Sequence, residues 1–316
     1  MSENIPFWSV MVPVYMPNQF LEEALESVLC QGIGKDRMQI RVIDNCSPEQ
    51  DVGERVTRIG GDRIEFSTND RNLGLAGNWN QCVKQAKGDW IHILHHDDLV
   101  LPGFYRRFEA LFAANPGVGA AFSRHFLSDS DGHIIAISEL EARDAGIPPE
   151  FNRKIAEWQR LQCAAVVVKR STYERLGGYR HDLPYVLDWE MWCRIAASGA
   201  WGFVPQPGAV YRTHQGSETG RLAKLGKTLE DFLHGGAIAR GHFDEGLRHT
   251  TEKAFLAQFT NHVFESVLAR FIASEPDAAA ELLRKYRREA FAANRGSDWA
   301  RLRARVGLKQ LLTRLK

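Results

Sequence analysis

Short apolar runs alternate with amphipathic stretches through the first half of the chain. WSVMVPVY (8–15) reads as a buried strand stopped against Pro17. NQFLEEALESVLC (18–30) follows, with Phe20, Leu21, Ala24, Leu25, Val28 and Leu29 at helical spacing and Asn18 placed to cap it. MQIRVIDN (38–45) and RIEFST (63–68) predict a second and a third strand, and LAGNWNQCVKQAKG (75–88) a helix ended by Gly88. WIHILHH (90–96) predicts the fourth strand, PGFYRRFEALFAAN (102–115) a helix with proline at its start, and VGAAFSRHFLS (118–128) a fifth strand turned by DSDG into HIIAIS. Repeated strand–helix–strand units imply an α/β fold: a Rossmann-like, mostly parallel sheet with helices on both faces.

The pattern then loosens. An insert rich in charge and proline (139–157) precedes a strand-like CAAVVVKR (163–170), a helix over 188–199 closed by Gly199, and the extended pieces FVPQ and AVYRTH. From Arg221 onward long helical patterns run without strands, over 250–274, 277–294 and 298–316. A boundary near residue 220 is therefore expected, with a sheet domain over 1–220 and a helical C-terminal region over 221–316.

Composition changes this picture little. The 316 residues carry 40 Lys and Arg against 39 Asp and Glu, so no overall field points to nucleic acid, and none is expected as a partner. The five cysteines are odd in number and too widely spaced for a metal knuckle or a disulfide framework. No apolar run approaches the ~18 residues of a membrane span, and the start lacks a signal peptide's basic and apolar regions. A reduced, cytoplasmic protein is the expectation. Charge is uneven, however: residues 281–316 hold eleven Lys and Arg against three acids. There LRARVGLKQLLTRLK (302–316) aligns Leu302, Val306, Leu308, Leu311, Leu312 and Leu315 in an apolar stripe opposite Arg and Lys. Three readings stand for this region: peripheral contact with an anionic inner-membrane surface, an oligomerisation element, or a cap on the sheet domain.

In open α/β sheets ligands bind beyond the carboxyl ends of the strands. Tyr15, Asp44, Asn45 and the HHDD run His95–Asp98 all fall there. Adjacent carboxylates such as Asp97 and Asp98 repel unless a positive charge intervenes, and Mg²⁺ or Mn²⁺ is the usual resolution. Strand alternation puts His95 on the face of Asp97, and His92 on the other, packed face. Zinc is the lesser rival, because HxxHH on a strand lacks the i, i+4 pair of a helical zinc site.

Six pieces in order, SVMVPVYMPNQFLEEALESVLCQ, IRVIDNCSP, NDRNLGLAGNWNQCVKQAKGDWIHILHHDDLVLPGF, RLGGY, LDWEMWCRIAASG and YRTHQGS, resemble the family-2 glycosyltransferases of the GT-A fold over residues 8–217. The resemblance implies a nucleotide-sugar donor, UDP-sugars favoured, and inversion at the anomeric carbon. It implies a glycan or lipid-linked acceptor hydroxyl, with surface polysaccharide synthesis as the family's usual work. By its motifs Pro13, Tyr15, Asp44 and Asn45 frame the nucleotide, and Asn80, His95 and Asp98 line the donor site. Asp97, Asp98 and His214 correspond to the metal ligands, for Mn²⁺ or Mg²⁺. Asp188 corresponds to the general base, and Glu190 supports it or meets the acceptor. The chain departs from the family at four places: His95 stands where relatives carry the first acid of DxDD, Trp79 where many carry Arg, Asn45 where a second Asp would follow Asp44, and Leu187 before the Asp of the ED motif. An Asp opening a helix is also commonly just a cap. Two rivals follow, a non-catalytic nucleotide- or glycan-binding module and a nucleotidyltransferase-like enzyme.

Overall fold

A computed structural model describes residues 5–48, 51–214, 216 and 228–314. The boundary expected near 220, and Leu315 of the C-terminal stripe, lie outside the described residues. Strands β1 (Trp8–Val14), β2 (Met38–Asp44), β3 (Glu65–Thr68) and β4 (Trp90–Ile93) fall where the apolar runs predict them. They pair in parallel in the order β3-β2-β1-β4. The intervening helices are α1 (Leu21–Leu29), α2 (Val52–Gly60) and α3 (Gly74–Gln85). Helix α2 escapes the apolar pattern, because only Val52 and Val56 of its nine residues are buried.

Alternation along the strands sorts side chains between two cores. Trp8, Val10, Val12 and Val14 of β1 join Leu21, Leu25 and Phe108 on one face, while Met11, Ile91 and Ile93 join Trp79 and Trp192 on the other. His92 sits among the first group. Its Nε2 donates to Ala164 O at 3.1 Å and its Nδ1 accepts from Tyr105 OH at 3.0 Å, and burial lowers its pKa to about 3. It is the packed histidine that strand alternation predicts.

Beyond β4 the sheet becomes mixed. After β5 (Leu99–Val100) and α4 (Phe104–Ala114) come β6 (Ala120–Ser128), β7 (Ile134–Ile137), α5 (Phe151–Glu157), β8 (Val166–Lys169), α6 (Arg170–Leu176), α7 (Leu187–Ser198) and β9 (Trp201–Arg212). The order continues β4-β8-β6-β9-β5, with β8 antiparallel to both neighbours and β7 paired to β6. FVPQ and AVYRTH are thus one strand, whose register against β6 shifts around Pro205 and Gln206.

The C-terminal helices are α8 (Thr228–Gly241), α9 (Glu245–Ile272), α10 (Pro276–Lys285), α11 (Arg287–Ala292) and α12 (Gly296–Arg314). Helix α9 starts earlier than its apolar pattern does, because Asp244 caps it by accepting from Leu247 N. These helices do not stand apart. Leu229, Phe232, Phe255, Phe259 and Val263 share one core with Leu187, Trp189 and Ile155. Gly236 makes the closest approach possible: a Cβ there would meet the Phe255 ring at 2.5 Å and Trp189 at 3.1 Å. Among the described residues, no helix is long and apolar enough to cross a membrane.

Candidate active site

Strand β4 ends at Ile93, three residues before the apolar run does, for a reason in β1. Leu94 N still donates to Met11 O at 3.0 Å, but Pro13 offers no N–H to extend the ladder. Leu94–Asp98 therefore leave the sheet as a turn, with Asp98 N bonded to His95 O at 3.2 Å. That turn delivers His95, Asp97 and Asp98 to one point, with one ligand-type atom from each lying within 4.8 Å of the others.

The two aspartates have opposite electrostatics. Burial opposes ionisation of Asp97, but His214 Nε2 donates to its Oδ2 at 2.8 Å, and with His96 and His95 this holds the carboxyl down at about 2. Asp98 is fully buried. Burial and the neighbouring Asp97 charge push its pKa well above the ordinary range, although Oδ1 accepts from Arg212 N at 2.9 Å. Asp98 Oδ2 and His95 Nε2 are buried and have no hydrogen-bond partner among the described residues. Burial also lowers His95 to about 4, so its ring is neutral and has a lone pair to give. Two orphaned polar atoms beside a second carboxylate are a donor set that fits a divalent cation.

Two of the departures from the family pattern, Trp79 and His95, meet in space. Trp79 stacks on His95 with centroids 4.8 Å apart, and Tyr179 packs edge-on against Trp79. An aromatic stack thus stands where the family pattern reads Arg and Asp.

The nucleotide-side residues separate into two groups. Tyr15 is 42% exposed at the end of β1, and a cleft of about 820 Å³ beside Asp44 is walled by Ser47, Thr57, Arg58, Phe66 and Thr68. Asp44 Oδ1 accepts from Ser47 Oγ at 2.5 Å, and Ser47 Oγ accepts from Met16 N at 2.8 Å, so the loops after β1 and β2 are tied together. Met16 and Cys46 take positive φ there, at 48° and 61°, a strained backbone of the kind that collects at sites. Pro13 is buried within β1 and contributes by ending the ladder.

Asn45 and Asn80, by contrast, are committed to the protein itself. Asn45 Oδ1 accepts from Leu73 N and Asn69, and its Nδ2 donates to Asn72 and Gly74 O, so it fastens the loop before α3. Asn80 grips the loop after α6: Nδ2 donates to Tyr179 O at 2.9 Å and Oδ1 accepts from Tyr179 N at 2.7 Å. The neighbouring Gly178 permits this, since a Cβ there would lie 2.2 Å from Asn80 Oδ1. Both amides thus fasten loops at the edge of the expected donor site.

Asp188 lies in the first turn of α7, where no side chain caps the helix. Its Oδ1 accepts from Trp189 N at 2.7 Å and its Oδ2 from Gln159 Nε2 at 2.8 Å. Burial raises the carboxyl to about 7, and the bonds from Trp189 and Gln159 only partly offset it. Position Glu190 points elsewhere. Its buried carboxylate accepts from Arg194 at 2.8 Å and from His242 Nε2 at 2.6 Å, fixing α7 to the end of α8. Two residues along a helix turn a side chain to a different face, so Glu190 and Asp188 leave α7 in different directions.

Three contributors carry little sequence signal. Arg212 sits in YRTH beside the expected His214; its guanidinium lies 3.8 Å over the Phe20 ring and pairs with Glu23 at 2.7 Å. Gln159 lies in a segment without a motif. Asp231, from α8, accepts from Tyr185 N at 2.7 Å and Val186 N at 3.0 Å, setting the chain that enters α7. Trp189 and Trp192 are fully buried core residues, as their helical spacing suggests.

A sheet of this order with a carboxylate cluster at the end of β4 defines a GT-A fold. The sequence profile described as Glycosyl transferase family 2 matches residues 9–173, more than half of the chain, and the chain belongs to that family. It is a glycosyltransferase. An uncharacterized protein of Mycobacterium tuberculosis is 29% identical over 244 residues, covering 72% of this chain and 73% of the relative. An uncharacterized glycosyltransferase of Methanocaldococcus jannaschii is 32% identical over 134 residues, 41% of this chain and 45% of that one. Among solved structures, S. aureus TarS 1–349 in complex with UDP-GlcNAc has the same fold, with a TM-score of 0.67 at 15% identity over 94% of this chain and 90% of that one. Against the longer TarS chain the TM-score is 0.56, and this chain spans 43% of it.

Proposed function

We propose that this chain is an inverting glycosyltransferase that moves a sugar from a nucleotide sugar, UDP-linked by preference, to a hydroxyl of a glycan or lipid-linked acceptor in surface polysaccharide synthesis. The observation that carries the mechanism is the contrast between two carboxylates. Asp97 is held ionised by His214, whereas Asp188 is buried without a cationic partner and raised to about 7. The first suits a cation site beside a diphosphate; the second suits a base that takes a proton near neutral pH.

Single displacement needs one base on the face opposite the leaving group, and inversion follows from that geometry. Asp188 accepts the hydroxyl proton as the acceptor oxygen attacks the anomeric carbon. Asp97 and Asp98, with His95 and His214 beside them, would hold Mn²⁺ or Mg²⁺, which would neutralise charge growing on the departing nucleotide diphosphate. Tyr15 and the cleft beside Asp44 suit the base and ribose. The donor preference is supported by the TarS 1–349 complex with UDP-GlcNAc, a protein of the same fold.

We also assign the transfer chemistry to residues 1–220 and a supporting role to 221–316, on the inner face of the membrane. Exposed Leu308 and Leu311 lie on α12, which also carries Arg301, Arg303 and Arg305, and exposed Ile272 ends α9, which suits an anionic lipid surface. Flotation with anionic vesicles reads this: binding by the full chain, lost in Arg301→Glu/Arg305→Glu, supports it, and no binding by either contradicts it.

The enzymatic assignment is tested by nucleotide release from a panel of nucleotide sugars, UDP-GlcNAc first, with Mn²⁺ or Mg²⁺. Release by the natural chain that Asp97→Ala and Asp188→Asn both abolish is expected. Undiminished release in Asp188→Asn would remove it as base, and absence of nucleotide binding would favour a non-catalytic module.

A further inference from the structure

The Asp188 carboxylate is served by an amide where an ion pair would be the ordinary solution. Gln159 lies between α5 and β8 and donates Nε2–H to Asp188 Oδ2 at 2.8 Å. Its orientation is fixed by its own oxygen. Oε1 accepts from Arg160 N at 3.1 Å and Leu161 N at 3.4 Å, so the NH₂ end must face the carboxylate.

The segment carrying Gln159 is fastened on both sides. Trp158, one residue earlier, stacks on Phe232 of α8 at 4.2 Å and 16°, and its ring meets His262 of α9 at 4.8 Å. Arg160, one residue later, donates to Glu141 at 2.7 Å and pairs with Glu139, while Lys154 binds the other Glu141 oxygen at 2.8 Å. Trp189, the residue after Asp188, donates its indole N–H to Ile155 O at 2.7 Å. The amide therefore reaches the carboxylate from a frame that includes the C-terminal helices.

We propose that Gln159 is a positioning residue for Asp188: a neutral donor, braced through Trp158 by the C-terminal helices, that orients the carboxylate for the acceptor hydroxyl. The inference rests on the reading of Asp188 as base. The chemistry explains the choice of amide. A hydrogen bond to the ionised form favours it, so an apolar neighbour would leave the buried acid protonated at neutral pH. A guanidinium in its place would hold the carboxylate far below 7 and weaken it as a base. The amide orients while leaving basicity near its useful range.

The test reads coupling between the two side chains without any substrate. Other titratable groups facing Asp188 are Cys163 in the turn before β8, Cys193 in α7, Tyr179 after α6 and Tyr185 before α7. Burial pushes all four upward, so they stay neutral between pH 5 and 8. Melting temperature is measured at pH 5 and pH 8 for the natural full-length chain, Gln159→Leu, Asp188→Asn and the double variant. At pH 5 the folded acid is protonated with or without the amide. At pH 8 the amide-bearing protein ionises it more easily, so Gln159→Leu should lose about 3 °C more at pH 8 than at pH 5. In the Asp188→Asn background that pH dependence should vanish. Equal losses at both pH values, or a pH-dependent loss that survives Asp188→Asn, would overturn the proposal.

Should Gln159→Leu fold poorly, Gln159→Glu reads the same coupling, since a second carboxylate beside Asp188 deepens the loss at pH 8. Nucleotide release separates the two levels of the argument. If Asp188→Asn stays active, the base assignment fails while the pH coupling still reports the tie. If Asp188→Asn is inactive and the coupling is absent, Gln159 loses its role and the base stands.

Discussion

The end of β4 and the start of α7 each carry an aspartate, and the two solve burial differently. Asp97 has imidazoles around it, with His214 bonded at 2.8 Å, and stays ionised near pH 2 and above. Asp188 has Gln159 and a backbone N–H, and titrates near 7. Hydrogen bonding from an imidazole favours the ionised form of Asp97 and suits it to holding something positive, whereas burial that an amide and a backbone N–H only partly offset leaves Asp188 able to accept a proton. Residue type alone does not decide between the roles. Surroundings do.

The sharpest way to break this comparison is to remove each carboxylate. Asp188→Asn should cost about 10²–10⁴-fold in transfer, the range of a lost general base, with donor affinity retained. Asp97→Ala should abolish metal-dependent nucleotide binding, read by calorimetry with Mn²⁺ and UDP. If both variants lost only donor affinity, the division of labour would be wrong.

A smaller effect is expected one layer out. His214→Ala removes the hydrogen bond that holds Asp97 low, so metal affinity should fall about 10–100-fold, as for other groups that orient ligands. An unchanged metal titration would show that Asp97 needs no orienting partner.

On the base side, Asp231→Ala leaves Tyr185 N and Val186 N without their acceptor. That should cost about 1–3 kcal/mol of stability, measured by urea denaturation, with the pH profile shifted little. Loss of activity with stability intact would make Asp231 part of the transfer chemistry instead.

The legible part of the molecule was the half governed by local periodicity. β1 to β4 and α3 are readable because buried strands and amphipathic helices impose their own spacing. The meeting of His95, Asp97 and Asp98 is readable because they follow one strand end, and His92 could be set aside by alternation alone. The partners of Asn80 and Glu190 were not legible, because a motif position carries no information on side-chain partners. Asn80 is claimed by the Tyr179 backbone and Glu190 by Arg194 and His242, contacts up to 99 residues apart in the chain. Gln159 was invisible for the same reason: its meaning is a single bond across 29 residues. The three readings of the C-terminal helices were inseparable without knowing where Phe232 and Phe255 pack; in the fold they lie against Trp158 and Trp189.

The central claim is that Asp188 carries the proton in transfer. It is tested most directly by the pH profile of metal-supported nucleotide release for the natural chain and Asp188→Asn. A base must be ionised to act, so the natural chain's rate should climb through about pH 7 and level above it, and the residual rate of Asp188→Asn should show no such rise. The same rise near pH 7 in Asp188→Asn would contradict the account and place the proton on another group.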